Sequence, residues 1–361
     1  MLNKTKWNQI SFIKFLKKYE IGKYEDDFLK FKNKKIAFIG TSPITLLVAN
    51  IYALFNAELT KFEKKEIGGA WQTTKYKKKH YPSSTHILMP NRLANDLLNL
   101  INIPNSPWTK KPYSINPNSR NISSFPKNKN EYDEFNMNDF SYGKKDFSSY
   151  LLEKLKTKKV NFYREKVSKI IETNEEIKIC VKNINYSFDY VFLTPAANLN
   201  SIKIQKKIIN PKYNNYLNKS LLMVLSKNFK FGSSFIHFYG KSPIREIQSF
   251  KDRYKKNIII VKLSRQWKNK NYKNINSILS NIFRNNNFLS GSKKIKIEYN
   301  MKRMTPNTHK IIINKSERII SPLTNINMSD KKLNSTSQDI SRLIGRKNFF
   351  YSLVKVIKNE K

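Results

Sequence analysis

The stretch KIAFI, residues 35–39, is a run of five mostly apolar residues closed by Gly40. A run that short and that apolar reads as a parallel strand buried on both faces. Pro43 follows where a helix can begin, because the first turn makes no use of the N–H that proline lacks. ITLLVANIYALF then carries helical spacing, and ELTKFE reads as a second strand ending at Glu63. The pattern is a β-α-β unit in about thirty residues.

Elsewhere the pattern is mixed. The N-terminal stretch predicts an amphipathic helix from about Ser11 to Tyr19, packing on the body of the protein, with contact to a membrane surface as the alternative. RLANDLLNLINI (92–103) and DFSSYLLEKLKTKKV (146–160) read as helices. Between them, 104–142 is rich in Pro, Asn, Ser and Lys with little periodicity, which predicts loops, short elements or a lid. VNFYREKVSKIIET, IKICVKN and YSFDYVFLTPA alternate as strands do. SLLMVLSKNF and SSFIHFYGK read as a sheet pair in a second region, NIIIVKLSRQW and KIKIEYNMKRM as further strands, and NINSILSNIFRNN as a helix. FFYSLVKVIKN, after Gly345 and Arg346, reads as a closing helix. No repeat of fixed period is present.

At 361 residues and 39% hydrophobic content, the chain can fill one or two domain cores. A net charge of +43 suggests polyanions, but the cations are 58 Lys against 11 Arg, scattered without a basic block. With abundant Asn and Ile, this is the signature of an AT-rich coding sequence. It argues against a nucleic-acid partner; an anionic membrane surface or a phosphorylated small molecule suits the charge better. The single cysteine, Cys180, excludes a disulfide framework and a cysteine metal site and fits a reducing, cytoplasmic setting. No apolar run approaches the ~20 residues of a membrane span, and the N-terminus carries no secretory pattern.

The candidate chemistry centres on the first β-α-β unit. A strand turning tightly into a helix aims free N–H groups and the positive end of the helix dipole at whatever lies above, which favours a pyrophosphate. Gly40 fills the first glycine position of such a loop, Ser42 the second and Thr45 the third. Glu63, 23 residues after Gly40 and ending the second strand, stands where a carboxylate accepts bonds from a ribose. EIGGAW adds Gly68 and Gly69, which allow a backbone to approach a ligand or simply make a turn. Together these features favour a nucleotide site. Arg346, after Gly345 at the start of the last helix, adds a guanidinium.

Other residues are less informative. Arg245, near Pro243, could clamp a phosphate or carboxylate, or pair with Glu246 or Asp252 at the surface. His80, His86, His237 and His309 are far apart in sequence and match no metal motif. His237, within FIHFY, reads as a satisfied strand residue, and Cys180 as a small buried hydrophobe. No G-x-S-x-G elbow is present, and Trp71, Trp108 and Trp267 read as core residues.

Gly40-x-x-Pro43 followed by FEKKEIGGAWQT resembles the N-terminal signature of FAD-dependent amine oxidase-like flavoproteins. That group includes protoporphyrinogen oxidase-like proteins and UDP-galactopyranose mutase. STHILMPNRLANDLLNLINI (84–103) is similar to the next family segment, with His86 at its histidine and Ser84 where glycine is common. YGKKDFSSYLLEKL resembles the glycine-led helix returning to the FAD domain. VNFYREKVSKI resembles the strand whose backbone, near Val167, touches adenine, and FDYVFLTPAAN the strand returning beneath the cofactor. SSFIHFYGKSPIREIQSFKD is similar to a mutase-like pattern, with Arg245 at its arginine. ISRLIGRKNFFYSLVKVIKN (340–358) resembles the closing segment, with Gly345 and Arg346 facing pyrophosphate and flavin. Two of the three loop glycines are missing, and 104–141 is short for the family's helical substrate domain.

The resemblance implies an α/β fold: a Rossmann-like FAD/NAD(P)-binding domain with a second, sheet-containing substrate domain. The FAD domain would be discontinuous (34–103, 140–200 and 335–361), after a helical extension (1–33). A loop or lid (104–139) and a substrate or cap domain (201–334) would complete the chain. FAD would be held by Gly40, Ser42, Pro43, Glu63, Gly68, Gly69, Val167, Gly345 and Arg346, with His86 and Arg245 as catalytic candidates. The implied activity is flavin-mediated redox chemistry on a small molecule. The alternatives are a mutase-like isomerase acting on an anionic sugar nucleotide, or a non-catalytic descendant that has lost FAD.

Overall fold

The structure is a computed structural model. It describes residues 7–21, 25–65, 67–69, 73–76, 79–82, 91–103, 106–107, 113–115, 122–124, 136–137, 147–156, 160–193, 197, 199–210, 213–225, 234–238, 243–251, 257–264, 277, 279–281, 299–308, 316, 318–321 and 344–354. The first elements are α1 Gln9–Lys18, α2 Glu25–Leu29, β1 Lys35–Ile39, α3 Pro43–Ala53, β2 Glu58–Phe62, β3 Thr73–Tyr76, β4 Lys79–Pro82 and α4 Arg92–Leu100. Then come β5 Ser106–Pro107, β6 Tyr113–Ile115, β7 Ile122–Ser124, β8 Asn136–Met137, α5 Phe147–Lys156, β9 Val160–Tyr163, β10 Val167–Glu172, β11 Ile177–Val181, β12 Ile184–Phe188 and β13 Tyr190–Leu193. The last are β14 Ser201–Ile204, β15 Lys207–Ile209, β16 Tyr213–Leu225, β17 Ser234–Phe238, β18 Ile244–Lys251, β19 Asn257–Leu263, β20 Tyr299–Thr308, β21 Ile319–Ile320 and α6 Lys347–Val354.

Five strands form a parallel sheet in the order β21-β13-β1-β2-β9. Successive residues of a strand point to opposite faces, and here both faces are covered. Ile36, Phe38, Leu59, Phe192 and Ile320 face a core shared with Phe12, Phe15 and Leu16 of α1 and with buried residues of α3, α4, α5 and α6. Ala37, Ile39, Phe62, Val191, Leu193 and Ile319 face a second core. There they meet Ile170, Ile177, Ile179 and Ile202 of a second sheet, β12-β11-β10-β14-β15. Parallel strands buried on both sides read as apolar runs, which is why KIAFI was recognisable.

The helix layer is tied by specific bonds. Asn50 Nδ2 donates to Leu46 O at 2.8 Å and to Leu151 O at 2.9 Å, fixing α5 on α3. Tyr52 Oη donates to Leu353 O at 2.6 Å, fixing α6. The N-terminal helix runs Gln9–Lys18, capped by Asn8, and is part of this layer. Its Phe12 and Phe15 pack on Phe350, and Tyr19 Oη donates to Asp96 of α4 at 2.6 Å.

Several boundaries differ from the sequence expectation. VNFYREKVSKIIET is two strands, because Arg164-Glu165-Lys166 interrupts it: β9 edges the parallel sheet, while β10 belongs to the second. Asp189 separates β12 from β13; its carboxylate accepts the Lys35 N–H at 2.8 Å and its N–H donates to Lys35 O at 2.9 Å. A seven-stranded sheet runs β20-β16-β19-β18-β17-β6-β7. SLLMVLSKNF and SSFIHFYGK share it without pairing, since β18 and β19 lie between them. β18 was not anticipated. β6 and β7 come from the expected loop or lid region and edge this sheet. β21, within the expected substrate domain, completes the parallel sheet. Of NINSILSNIFRNN, the described residues 277 and 279–281 are helical.

One side chain contradicts its surroundings. Lys61 of β2 lies in the cross-strand row Phe162–Lys61–Phe38–Phe192–Ile320. It is fully buried, and among the described residues its Nζ has no hydrogen-bond partner. Burial alone lowers its pKa from 10.5 to about 7. Between those two pH values the unfolded chain binds a proton that the native chain does not, so stability rises with pH through that window. Below it the full penalty applies, on the order of 5 kcal/mol. Lys61→Met is therefore expected to stabilise the protein at pH 7 by at least about 2 kcal/mol. The gain should shrink towards pH 10, as read by urea unfolding of both proteins. A pH-independent difference would show that the amine is not buried uncompensated.

Candidate functional site

Numbered by appearance in the chain, the parallel strands run 5-4-1-2-3, so the order reverses between β1 and β13. Ligands of open α/β sheets bind beyond the strand C-termini at such a reversal. Gly40 ends β1 at this point. Its φ is +92°, and a Cβ placed on it would meet nothing within 4 Å. Glycine is thus required by backbone conformation, and the space beside it is open. Its N–H donates to Phe62 O at 2.9 Å, holding the turn to the end of β2.

Glu63 organises this turn. The Thr41 N–H and hydroxyl both donate to its Oε2 at 3.0 Å, and the Lys65 N–H donates to Oε1 at 2.9 Å. Each carboxylate oxygen has two lone pairs, so Oε2 is filled by Thr41 and Oε1 keeps one. Glu63 is half-buried and tied to the loop.

Ser42 is the N-cap of α3. Its Oγ accepts the Thr45 N–H at 3.3 Å and lies 2.9 Å from Thr45 Oγ1. The Thr45 hydroxyl thus joins the cap. Pro43 at the first helical position has no N–H. Of the donors at this end, the N–H groups of Ser42 and Ile44 have no acceptor among the described residues. No acidic residue stands in the first turn to oppose an anion.

Gly68 and Gly69 make the turn that lies against this loop. Their φ values are +112° and +52°. The Gly68 N–H donates to Thr41 O at 3.2 Å, and a Cβ on Gly69 would stand 3.0 Å from Ser42 Cα and Cβ. The close approach permitted by these glycines is to Ser42.

The remaining candidates are dispersed. A Cβ on Gly345 would fall 2.3 Å from Asn91 Cγ. Asn91 caps α4 by accepting the Ala94 N–H at 3.0 Å and donates from Nδ2 to Gly345 O at 3.2 Å. Gly345 is thus small to admit a capping asparagine. Arg346 is exposed just before α6. Val167 opens β10, buried in the second core opposite Val181. Arg245 is exposed on β18, in the seven-stranded sheet, and Glu246 pairs with Lys262. His86, Trp71, Trp108, Trp267 and His309 lie outside the described residues, as does the side chain of His80.

Sequence reading missed one cluster. On β17, β18 and β19, His237, Glu246 and Lys262 stand opposite one another. His237 Nδ1 is 4.0 Å from Glu246 Oε1, and Lys262 Nζ is 3.4 Å from Oε2. Only recognition of β18 as a strand could have brought the three together. Away from all of these, a cleft of about 210 Å³ lies at the N-terminal ends of β1 and β2, lined by Lys35, Glu58, Asn161, Tyr163 and Tyr186. Among the described residues, no cluster of His, Cys, Asp and Glu could hold a metal ion, and no helix is long and apolar enough to cross a membrane.

The class that this architecture defines is the Rossmann-like α/β fold with a second sheet domain found in FAD-binding oxidoreductases. The solved structures that match it include an oxidoreductase from Methanosarcina mazei, with a TM-score of 0.53 and 11% identity over 74% of this chain and 87% of that one. Putrescine oxidase solved with putrescine matches with a TM-score of 0.53 and 11% identity, over 74% of this chain and 84% of that one. CtdE, solved with FAD and a substrate, gives 0.52 and 12%, over 86% and 78%. At these identities the likeness is one of fold. No protein-family model and no curated protein matches the chain.

The contact between Asn91 and Gly345 is directly testable. Gly345→Ala is expected to cost about 1–3 kcal/mol through overpacking, and Asn91→Ala about 1 kcal/mol through loss of the cap. The double variant should lose less than the sum, because the second change removes the clash. Strict additivity in urea unfolding would show that the two residues do not touch.

Proposed function

We propose that the chain is an FAD-binding oxidoreductase whose dinucleotide lies across the C-terminal ends of β1 and β2. The observation that carries this reading is Gly40: a left-handed glycine at the strand-order reversal, opening onto free space. The N–H groups of Ser42 and Ile44, at the positive end of α3, would receive the pyrophosphate. The remaining lone pair on Glu63 Oε1 would accept one ribose hydroxyl. Pro43, Gly68 and Gly69 would shape the loop. Gly345 and Arg346 would approach from α6 and Val167 from the start of β10. Bound flavin supplies two-electron transfer, while the protein binds and orients the substrate.

The likeness to putrescine oxidase supports an amine oxidase-like reading, with a small molecule as substrate. A mutase-like isomerisation of a sugar nucleotide rests on Arg245 alone.

A second reading is favoured by the loop itself. Ser42 uses its hydroxyl as a cap, Gly69 presses on Ser42, and three of the four acceptor positions of Glu63 are filled from within the chain. These contacts stabilise the loop without a ligand, as a non-catalytic descendant would require.

Titration with FAD separates the two readings. A flavoprotein is expected to purify with the visible absorption of oxidised flavin. Alternatively, it should gain about 2.7 kcal/mol of stability at FAD concentrations of 100 times Kd. A colourless protein whose melting FAD does not shift would leave the non-catalytic reading standing.

A further inference from the structure

We propose that His237, Glu246 and Lys262 form the floor of a binding site for the carboxylate or phosphate of a small molecule. Naming that molecule the substrate rests on the flavoprotein reading; the site itself does not.

The seven-stranded sheet has two unlike faces. Leu221, Ile236, Phe238, Ile247, Ile259, Val261 and Leu263 lie on one face, all buried. On the other, Ile258 and Ile260 enter the core of the helix layer. One step further along β19, that second face turns polar in a single cross-strand row. Ser220, Lys262, Glu246 and His237 stand in register on β16, β19, β18 and β17. Their neighbour Gln248 is fully buried. Four strands thus place polar residues at one level, next to the buried Ile258 and Ile260 on the same face. A sheet selected for stability alone gains nothing from this, because burying ionic groups costs more than packing hydrocarbon there.

The bulge beside the row points the same way. Ile244 pairs with Leu263 and Glu246 with Lys262, so Arg245 is the extra residue. In regular register Arg245 would lie opposite Leu263, on the apolar face. The bulge moves Ile244 into that place and leaves Arg245 exposed, while Glu246 keeps its position facing Lys262. Bulges re-aim side chains next to binding sites.

The ligand's charge follows from the donors. The Glu246 carboxylate has His237 on one oxygen and Lys262 on the other. Lys262 carries three N–H donors, and Arg245, the next residue along from Glu246, carries five. Lys262 and Arg245 are side chains that only donate, so the group they complement is an anion. The side chains of His237, Glu246 and Lys262 keep 12%, 11% and 15% exposure, so the row is not sealed.

The test uses the full-length protein and a reporter at the site, because a chain of charge +43 binds anions elsewhere as well. The imidazole NMR signal of His237, assigned by its loss in His237→Gln, is followed during titration with sodium acetate and with inorganic phosphate. A saturable shift is expected with at least one of them. Acetate alone would identify a carboxylate ligand, phosphate alone a phosphorylated one, and both a general anion site. Lys262→Met/Glu246→Gln, which removes the ion pair together, should weaken the response at least tenfold. The surface variant Arg245→Gln should weaken it a few-fold and provides the check if the double variant does not fold. No saturable shift with either anion, or wild-type titration in the variants, would overturn the proposal. FAD binding is read on the same samples: its absence with the anion response intact would remove the flavoprotein reading and leave the site.

Discussion

A parallel sheet has no face to spare for water, and that constraint organises the molecule. The strands β21, β13, β1 and β2 bury both sides, so their residues divide alternately between two cores, while the edge strand β9 leaves Asn161 and Phe162 exposed. The second sheet covers one side. The other needs more apolar surface than α3 and α5 supply, and the two ends of the chain provide it. Phe12 and Phe15 of α1 meet Phe350 of α6 over α3. Tyr52 holds α6 by a backbone carbonyl, and Lys30 Nζ donates to the carbonyl of Val354. The segment carrying Gly345 and Arg346 is therefore positioned by the need to close a core.

With both faces covered, only the strand ends remain to meet a ligand. Their shape depends on Glu63. A carboxylate accepting a backbone N–H and a hydroxyl makes charge-assisted bonds, stronger than neutral ones. These hold Thr41, and through Thr41 the Gly68 turn, against the start of α3. One residue thus sets the geometry in which the Ser42 and Ile44 donors are presented. It retains a single acceptor position for anything arriving from outside. Loop order and ligand affinity compete for the same four lone pairs.

What could be read from the sequence was local. KIAFI, Pro43 and ELTKFE carry their own length and period: β1 has the expected bounds, while β2 ends one residue early and α3 two. The glycines and Glu63 were identifiable by spacing, but their partners were not. Nothing near Gly345 in sequence announces Asn91, 254 residues earlier. β18 was invisible because IREIQSFK interleaves charged and amide residues with apolar ones, and the bulge at Arg245 shifts its register midway. The break at Arg164-Glu165-Lys166 separates two strands of similar composition, and only pairing assigns them to different sheets.

The same limit explains two lysines. Leu59-Thr60-Lys61-Phe62 and Ile260-Val261-Lys262-Leu263 are nearly the same word, and a reader of the sequence would place both amines in solvent. Register separates them. Lys61 is flanked across the strands by Phe38 and Phe162, so its charge has no compensation and the neutral form is favoured. Lys262 is flanked by Glu246 and Ser220, with His237 one strand beyond. A fully buried amine whose charge is disfavoured offers an incoming anion little charge and no access. A paired ammonium in a polar row keeps both, with Glu246 beside it and 15% of its side chain exposed. The chemistry of a buried lysine is decided by the residues one strand away, and on that ground the functional weight falls on the polar row of the seven-stranded sheet.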